Sequence, residues 1–197
     1  MQGWNVMDRH CTWKVRAEGG MARRRAWLLS ALLVLGMTSA AQAAARPELS
    51  LGLRYGEGAV YGDHEQFEGQ ELFLRAGPPA WRELWPAVRA EVEFAGARFR
   101  NGGDKALAVM AGPVLVWQRA GRPWALEGGI RLTWLSDDVI GDRDLGGKFQ
   151  FTSYVAAVWQ LSPRLAAALR LQHTSNAGIY NENPGLDLQL IELRFRF

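Results

Sequence analysis

The residues best suited to chemistry lie near the carboxyl terminus, where His173, Ser175 and Asp187 fall within one short stretch. A serine hydroxyl attacks an ester carbonyl when a base removes its proton, and an acid holds that base in position. If this stretch is a strand, His173 and Ser175 point to the same face because they are two residues apart. The set predicts an esterase in which Ser175 attacks, His173 passes the proton to the leaving alcohol and Asp187 holds the imidazole tautomer.

The residues directly after Ser175 offer groups for the negatively charged oxygen of a tetrahedral intermediate. The Asn176 side chain, together with the backbone N–H of Ala177 or Gly178, could stabilise that oxyanion. A His-x-Ser pair is weak evidence taken alone. The alternative is a polar cap at a membrane interface, followed by a turn rich in Asn and Gly.

The elements that must position these residues are strands. Apolar and polar side chains alternate with a period of two throughout residues 44–197, and Gly, Pro, Asn and Asp interrupt the alternation. The pattern predicts an all-β fold, an eight-stranded antiparallel up-and-down transmembrane β-barrel. The predicted strands are residues 48–56, 69–77, 87–99, 105–118, 123–136, 147–160, 163–175 and 186–197.

A soluble, lipocalin-like barrel buries its apolar face, whereas an outer-membrane barrel turns that face to lipid. Three features favour the membrane barrel. The strands are long enough for tilted spans. Their polar faces carry Arg and Glu in near balance, so these could neutralise each other inside a narrow barrel. Aromatic residues lie at strand ends, as in interfacial girdles, and the chain ends on an apolar strand; these are Trp85, Trp117, Trp124, Trp134, Trp159 and Phe197. The lipocalin-like barrel remains the alternative.

The same parity places the candidate triad on the lipid side of the barrel. His173 and Ser175 share a face with Leu169 and Leu171, and Asp187 shares a face with Ile191. With the amino terminus in the periplasm, the external loops are 57–68, 100–104, 137–146 and 176–185, so the three residues should meet at the outer rim. Polar residues in a lipid-facing row cost free energy, which favours a chemical role over a simple polar cap.

The amino-terminal segment has the features of a secretory signal peptide. Residues 21–43 contain Arg23–Arg25, an apolar stretch at 26–37 and an Ala41-Gln42-Ala43 cleavage site. Residues 1–20 form an upstream extension, with Met21 the expected initiator. The whole chain has 23 basic and 20 acidic residues, of which six basic and two acidic residues lie in 1–43. Residues 44–197 therefore hold 17 basic and 18 acidic residues. The mature charge of −1 leaves no basic surface for nucleic acid.

Metal and thiol chemistry have little support in residues 44–197. Cys11 lies in the amino-terminal segment, and only His64 and His173 remain as histidines. His64, beside Asp63 and Glu65, is better explained as a solvated loop residue than as a ligand. The acidic residues of the 137–146 loop could attract a divalent ion near lipopolysaccharide phosphates, but a solvated loop is the simpler interpretation. We therefore expect no metal and no cofactor.

The segment His173-Thr174-Ser175-Asn176-Ala177 resembles the lipid A 3-O-deacylases of the PagL family. Members are eight-stranded outer-membrane barrels with a His-x-Ser-Asn segment near the end of the seventh strand and an acid twelve positions after the serine. That acid is commonly Glu, whereas here the position holds Asp187, so Glu182 is a second candidate. The resemblance implies metal-free hydrolysis of the ester-linked 3-hydroxyacyl chain at the 3-position of lipid A, in the outer leaflet of the bacterial outer membrane.

Two other functions stay open at this point. One is a non-enzymatic small outer-membrane barrel for adhesion or membrane structure, and the other is a soluble lipocalin-like binder. For the enzyme, the expected partner is lipid A or lipopolysaccharide within the membrane. The acyl-chain preference and the oligomeric state also stay open, with a homodimer among the alternatives.

Overall fold

Strands account for most of this computed structural model, which describes residues 48–59, 66–78 and 87–197. They are β1 (Glu48–Ala59), β2 (Gln66–Gly77), β3 (Val88–Asn101), β4 (Asp104–Trp117), β5 (Trp124–Leu135), β6 (Val139–Ile140), β7 (Arg143–Asp144), β8 (Phe149–Gln160), β9 (Leu165–Ser175) and β10 (Leu186–Arg196). The predicted upstream extension, signal peptide, His64 and Trp85 lie outside the described residues.

The eight long strands form a closed antiparallel barrel in the order β1-β10-β9-β8-β5-β4-β3-β2. Closure comes from the pairing of β1 with β10, which runs from Ser50 opposite Arg196 to Glu57 opposite Gln189. The predicted eight-stranded barrel is therefore confirmed, with every strand end within three residues of its predicted place. The two-residue strands β6 and β7 form a separate ribbon in the loop between β5 and β8, which was not predicted.

The two ends of the barrel differ in their connections. We call the end with residues 118–123 and 161–164 the turn end, and the end with residues 136–148 and 176–185 the loop end. Trp117, Trp124 and Trp159 lie together at the turn end, where the Trp117 and Trp124 rings are 5.4 Å apart. Trp134 lies on the same strand as Trp124 but at the loop end. Aromatic residues thus mark both ends, as in membrane-spanning barrels.

Most of the exposed side chains of the long strands are large and apolar, and they point out of the barrel. Leu53, Val155 and Ile191 are each more than 60% exposed, and the residues that follow Leu53 and Ile191, Arg54 and Glu192, are buried. A barrel with an apolar exterior and a charged interior is suited to a bilayer and not to water. No helix within the described ranges is long and apolar enough to cross a membrane.

The barrel interior is filled by a layer of paired charges between two apolar clusters. Arg54 donates to Glu192 at 2.6 Å and to Glu71 at 2.8 Å, and Arg75 donates to Glu93 at 2.6 Å. The buried charged side chains are Arg54, Glu71, Arg75, Glu91, Glu93, Glu127, Arg131, Arg143, Arg170, Glu192 and Arg194. One apolar cluster includes Phe67, Phe99 and Leu188, and the other includes Val114 and Val158. Because each charge in the layer has opposite charges nearby, the strands can bury them together.

Candidate active site

His173 and Asp187 form a hydrogen-bonded pair on the outer face of the barrel, at its loop end. They lie directly opposite each other in the β9–β10 register, and His173 Nδ1 is 2.7 Å from Asp187 Oδ1. The two side chains are 50% and 65% exposed. A carboxylate bonded to Nδ1 favours the tautomer with the hydrogen on Nδ1, which leaves Nε2 as a base.

Ser175 lies at the end of β9, half-buried and on the same face as His173. Their Cα atoms are separated by two residues of strand, or about 6.6 Å. No hydrogen bond joins Ser175 Oγ to the His173 ring within the described residues. Such bonds are often long in enzymes without substrate and shorten when substrate binds.

Gly185 lies beneath the imidazole, one step beyond the pairing of Thr174 with Leu186. A Cβ placed on Gly185 would be 2.8 Å from His173 Cε1 and 3.6 Å from Nε2. The Nε2 edge of the ring therefore lies over a residue that has no side chain. Ser175, one residue after Thr174 on β9, is at the same height along the barrel as Gly185. The Nε2 edge of the imidazole is therefore on the Ser175 side.

Asn176 anchors the turn that follows Ser175. Its side chain is fully buried, and Nδ2 donates to the carbonyls of Leu145 at 3.0 Å and Glu182 at 2.6 Å. Its Oδ1 accepts from the Gly178 N–H at 2.9 Å. Both amide hydrogens of Asn176, and the Gly178 N–H, are thus used inside the protein.

Ala177 is the remaining candidate donor of the three predicted residues. It has φ of 54° and Gly178 has φ of 78°, while Ile179 N–H donates to the Asn176 carbonyl at 3.1 Å. Positive φ at both central residues is the pattern of a type I′ turn, and it is uncommon for alanine. The Ala177 N–H donates to no group within the described ranges, so it is available to a substrate oxygen.

The loop that carries β6 and β7 packs against this turn, and sequence analysis did not find its role. A Cβ on Gly146 would clash with the Glu182 carbonyl oxygen, and one on Gly147 would clash with the Tyr180 ring. Arg143 Nη1 donates to the Gly185 carbonyl at 3.3 Å. The Gly146-Gly147 dipeptide was the one sequence feature that indicates a close approach of another segment. Nothing in the sequence shows which segment that is.

A groove of about 420 Å³ runs along the outer face beside the His173–Asp187 pair. Its outward-facing lining includes Ser153, Val155, Leu171 and Gln189. Ser153 of β8 is the register partner of His173 and was also missed by sequence analysis. In the part of the chain that the structure describes, no three His, Cys, Asp or Glu side chains converge in a way that could hold a metal.

Comparison with known proteins places the chain in a family. The family model for lipid A 3-O-deacylase (PagL) matches residues 69–196. The chain belongs to this family. Two lipid A deacylases named PagL are similar in sequence. The protein from Bordetella bronchiseptica is 29% identical, and the match covers 86% of this chain and 95% of that protein. The protein from Pseudomonas aeruginosa is also 29% identical, and the match covers 47% of this chain and 57% of that protein.

Solved structures agree on the fold. The crystal structure of the outer membrane enzyme PagL has a TM-score of 0.62 at 19% identity, and the match covers 74% of this chain and 98% of that one. The crystal structure of Neisserial surface protein A has a TM-score of 0.50 at 12% identity, and the match covers 79% of this chain and 100% of that one. With the family established, the chain is a lipid A deacylase, an ester-hydrolysing enzyme of the bacterial outer membrane.

If His173 is the base that the sequence predicts, Gly185→Ala is expected to reduce lipid A deacylation by more than about 100-fold, because misplacing a catalytic group by about 1 Å has an effect of this size. The added methyl group would push the imidazole off its position, and φ of 72° at Gly185 is itself strained for alanine. Initial rates on lipid A measure the loss. Gly102→Ala is the matched control, since Gly102 has φ of 58° and a Cβ there meets nothing within 4 Å. Equal rates for the two variants would contradict the assigned role of Gly185.

Proposed function

We propose that this enzyme hydrolyses the ester-linked 3-hydroxyacyl chain at the 3-position of lipid A, with Ser175, His173 and Asp187 as its triad. The observation that carries the proposal is the His173–Asp187 hydrogen bond on the lipid-facing surface. A polar, hydrogen-bonded pair in a row of apolar residues is costly in a bilayer unless it has a use. Catalysis by a serine esterase that acts on a membrane lipid is such a use.

The reaction takes place in two steps. Ser175 Oγ attacks the acyl carbonyl carbon while His173 Nε2 takes the hydroxyl proton, and the tetrahedral oxyanion forms. The bond between the acyl carbon and the sugar oxygen then breaks, and His173 gives its proton to the departing sugar oxygen. Water, deprotonated by His173, next attacks the acyl-Ser175 ester. The bond between the acyl carbon and Ser175 Oγ breaks, His173 returns the proton to Oγ, and the 3-hydroxy fatty acid is released.

The turn after Ser175 stabilises the oxyanion in this mechanism. The Ala177 N–H is the donor, since its hydrogen is free for a substrate oxygen. Asn176 and Gly178 support it through the bond from Gly178 N–H to Asn176 Oδ1 and through the two bonds from Asn176 Nδ2. Backbone donors fixed in this way need no reorganisation as charge develops on the oxygen.

The location of the site explains how a membrane lipid reaches it. The outer face carries exposed Val155 and Leu171 directly beside His173, so an acyl chain can lie on the barrel while its ester is at the triad. We orient the loop end toward the cell exterior, where lipid A forms the outer leaflet. Substrate then enters sideways and never leaves the bilayer.

Mass spectrometry of lipid A incubated with the purified protein in mixed detergent micelles tests the proposal. Fragmentation should show loss of one 3-hydroxyacyl chain, and the loss should map to the 3-position. Loss from another position would contradict the assigned specificity. An unchanged lipid A mass would contradict the proposal as a whole.

Asp187→Asn is expected to reduce the rate by about ten- to 100-fold, because the amide no longer holds the imidazole in the tautomer that leaves Nε2 as the base. Asp187→Glu, which keeps the carboxylate, should retain most of the activity. Glu182→Gln is the matched control for the second candidate acid. A rate loss confined to the Glu182 variant would assign the acid to that residue instead.

A further inference from the structure

Gln189 is a polar residue exposed on the membrane face of β10. It lies between exposed Asp187 and exposed Ile191 on the outward row of that strand. Its register partners are Leu171 on β9 and Glu57 on β1. It also lines the groove that contains His173 and Asp187.

The amide of Gln189 has no partner among the residues that the structure describes. No hydrogen bond to it is formed within the described residues, in contrast with outward-facing Gln70, which accepts from Arg98 Nη2 at 2.9 Å. An amide without a partner is unfavourable beside hydrocarbon, where water cannot replace the missing bond. A ligand group in the groove would remove this cost.

The level of Gln189 in the groove limits which part of a lipid it meets. It is two residues, or about 6.6 Å, further from the loop end than Asp187. Gln189 therefore lies beside Leu171, on the side of the site where the acyl chain extends into the membrane. The sugar lies on the opposite side, toward the loop end. Fatty acyl chains carry few polar groups. In the proposed substrate, the first polar group after the ester carbonyl is the hydroxyl at C3 of the acyl chain.

We propose that Gln189 is a specificity-determining residue that hydrogen-bonds the 3-hydroxyl group of the acyl chain. This inference rests on the proposed function and goes beyond it by naming how the chain is recognised. A hydroxyl donates and accepts, and so does a carboxamide, so the two groups can satisfy each other. A site built to bond a substrate hydroxyl discriminates against the analogue that lacks it.

Two lipid A substrates test the inference, one with the natural 3-hydroxyacyl chain at the 3-position and one with an unsubstituted chain of the same length there. We expect the wild type to prefer the hydroxylated chain by about tenfold. Gln189→Met, which keeps the length but removes the amide, should bring the ratio of the two rates close to one. A loss of folding would lower both rates and leave the ratio unchanged.

Gln70→Leu is the matched control, because it removes another outward-facing glutamine that lies three strand positions from β9 around the closed sheet. It should keep the wild-type preference. Gln189→Leu repeats the test if the methionine variant does not fold. A wild type without preference, or a Gln189 variant that retains it, would overturn the inference. Failure of the wild type to remove any chain from the 3-position would instead overturn the proposed function.

Discussion

Ser175→Ala is expected to lower the initial rate of lipid A deacylation by about 10³- to 10⁴-fold, the largest effect of any single change considered. Without the hydroxyl no acyl-enzyme forms, and only substrate binding and oxyanion stabilisation remain to speed direct attack by water. Ser175 is half-buried at a strand end, and its side chain makes no hydrogen bond within the described residues. The barrel should therefore fold and insert normally, which gel mobility of the folded protein would check.

Ser153 provides the matched comparison, because it is the other serine beside His173 on the same face. Its Cα is directly across from His173 on β8, whereas Ser175 is two residues along β9. We expect Ser153→Ala to keep most of the activity, because no candidate oxyanion donor adjoins Ser153 in sequence. The reverse outcome, with Ser153→Ala inactive and Ser175→Ala active, would assign the nucleophile to Ser153.

Glu93→Gln is expected to lower the free energy of unfolding by about 3–5 kcal/mol, because removing one partner leaves buried charges uncompensated. Glu93 accepts from Arg54 at 2.6 Å, from Arg75 at 2.6 Å and from Arg131 at 3.0 Å. The glutamine amide cannot balance three guanidinium groups. Urea unfolding of the protein in detergent or lipid vesicles, followed by tryptophan fluorescence, measures the change.

Glu57→Gln serves as the control for this stability measurement. Glu57 is exposed on the outer face, where Tyr55 donates to it at the long distance of 3.5 Å. Exposed pairs contribute little, so the change should stay within about 1 kcal/mol. If the Glu93 and Glu57 variants had equal stability, the buried charge layer would not have the structural role assigned to it.

The strands and their faces were predictable because a barrel strand repeats every two residues. The alternation of Leu53 with Arg54, or Ile191 with Glu192, gives both the strand and the side that faces lipid. The β6–β7 ribbon could not be found in this way, since a two-residue strand contains no period. The packing of Gly146 against the Glu182 carbonyl was also out of reach, because it joins two loops of different hairpins.

The candidate site was predictable in part for the same reason. Parity placed His173 and Asp187 on one face, but the register that puts them directly opposite depends on the conformation of residues 176–185. Ser153 was missed because it approaches from β8. The use of the Asn176 side chain within the protein could not be foreseen, since its partners Leu145 and Glu182 become neighbours only when the loops pack.

The filled interior has a consequence for how this enzyme turns over. With paired charges closed in by Phe99 and Leu188 toward one end and Val158 toward the other, neither product has a path through the centre of the described barrel. The fatty acid and the shortened lipid must both leave by lateral diffusion within the leaflet. Velocity should accordingly follow the mole fraction of substrate in the surface and fall when inert lipid dilutes it, even if the bulk amount of lipid A per volume is held constant.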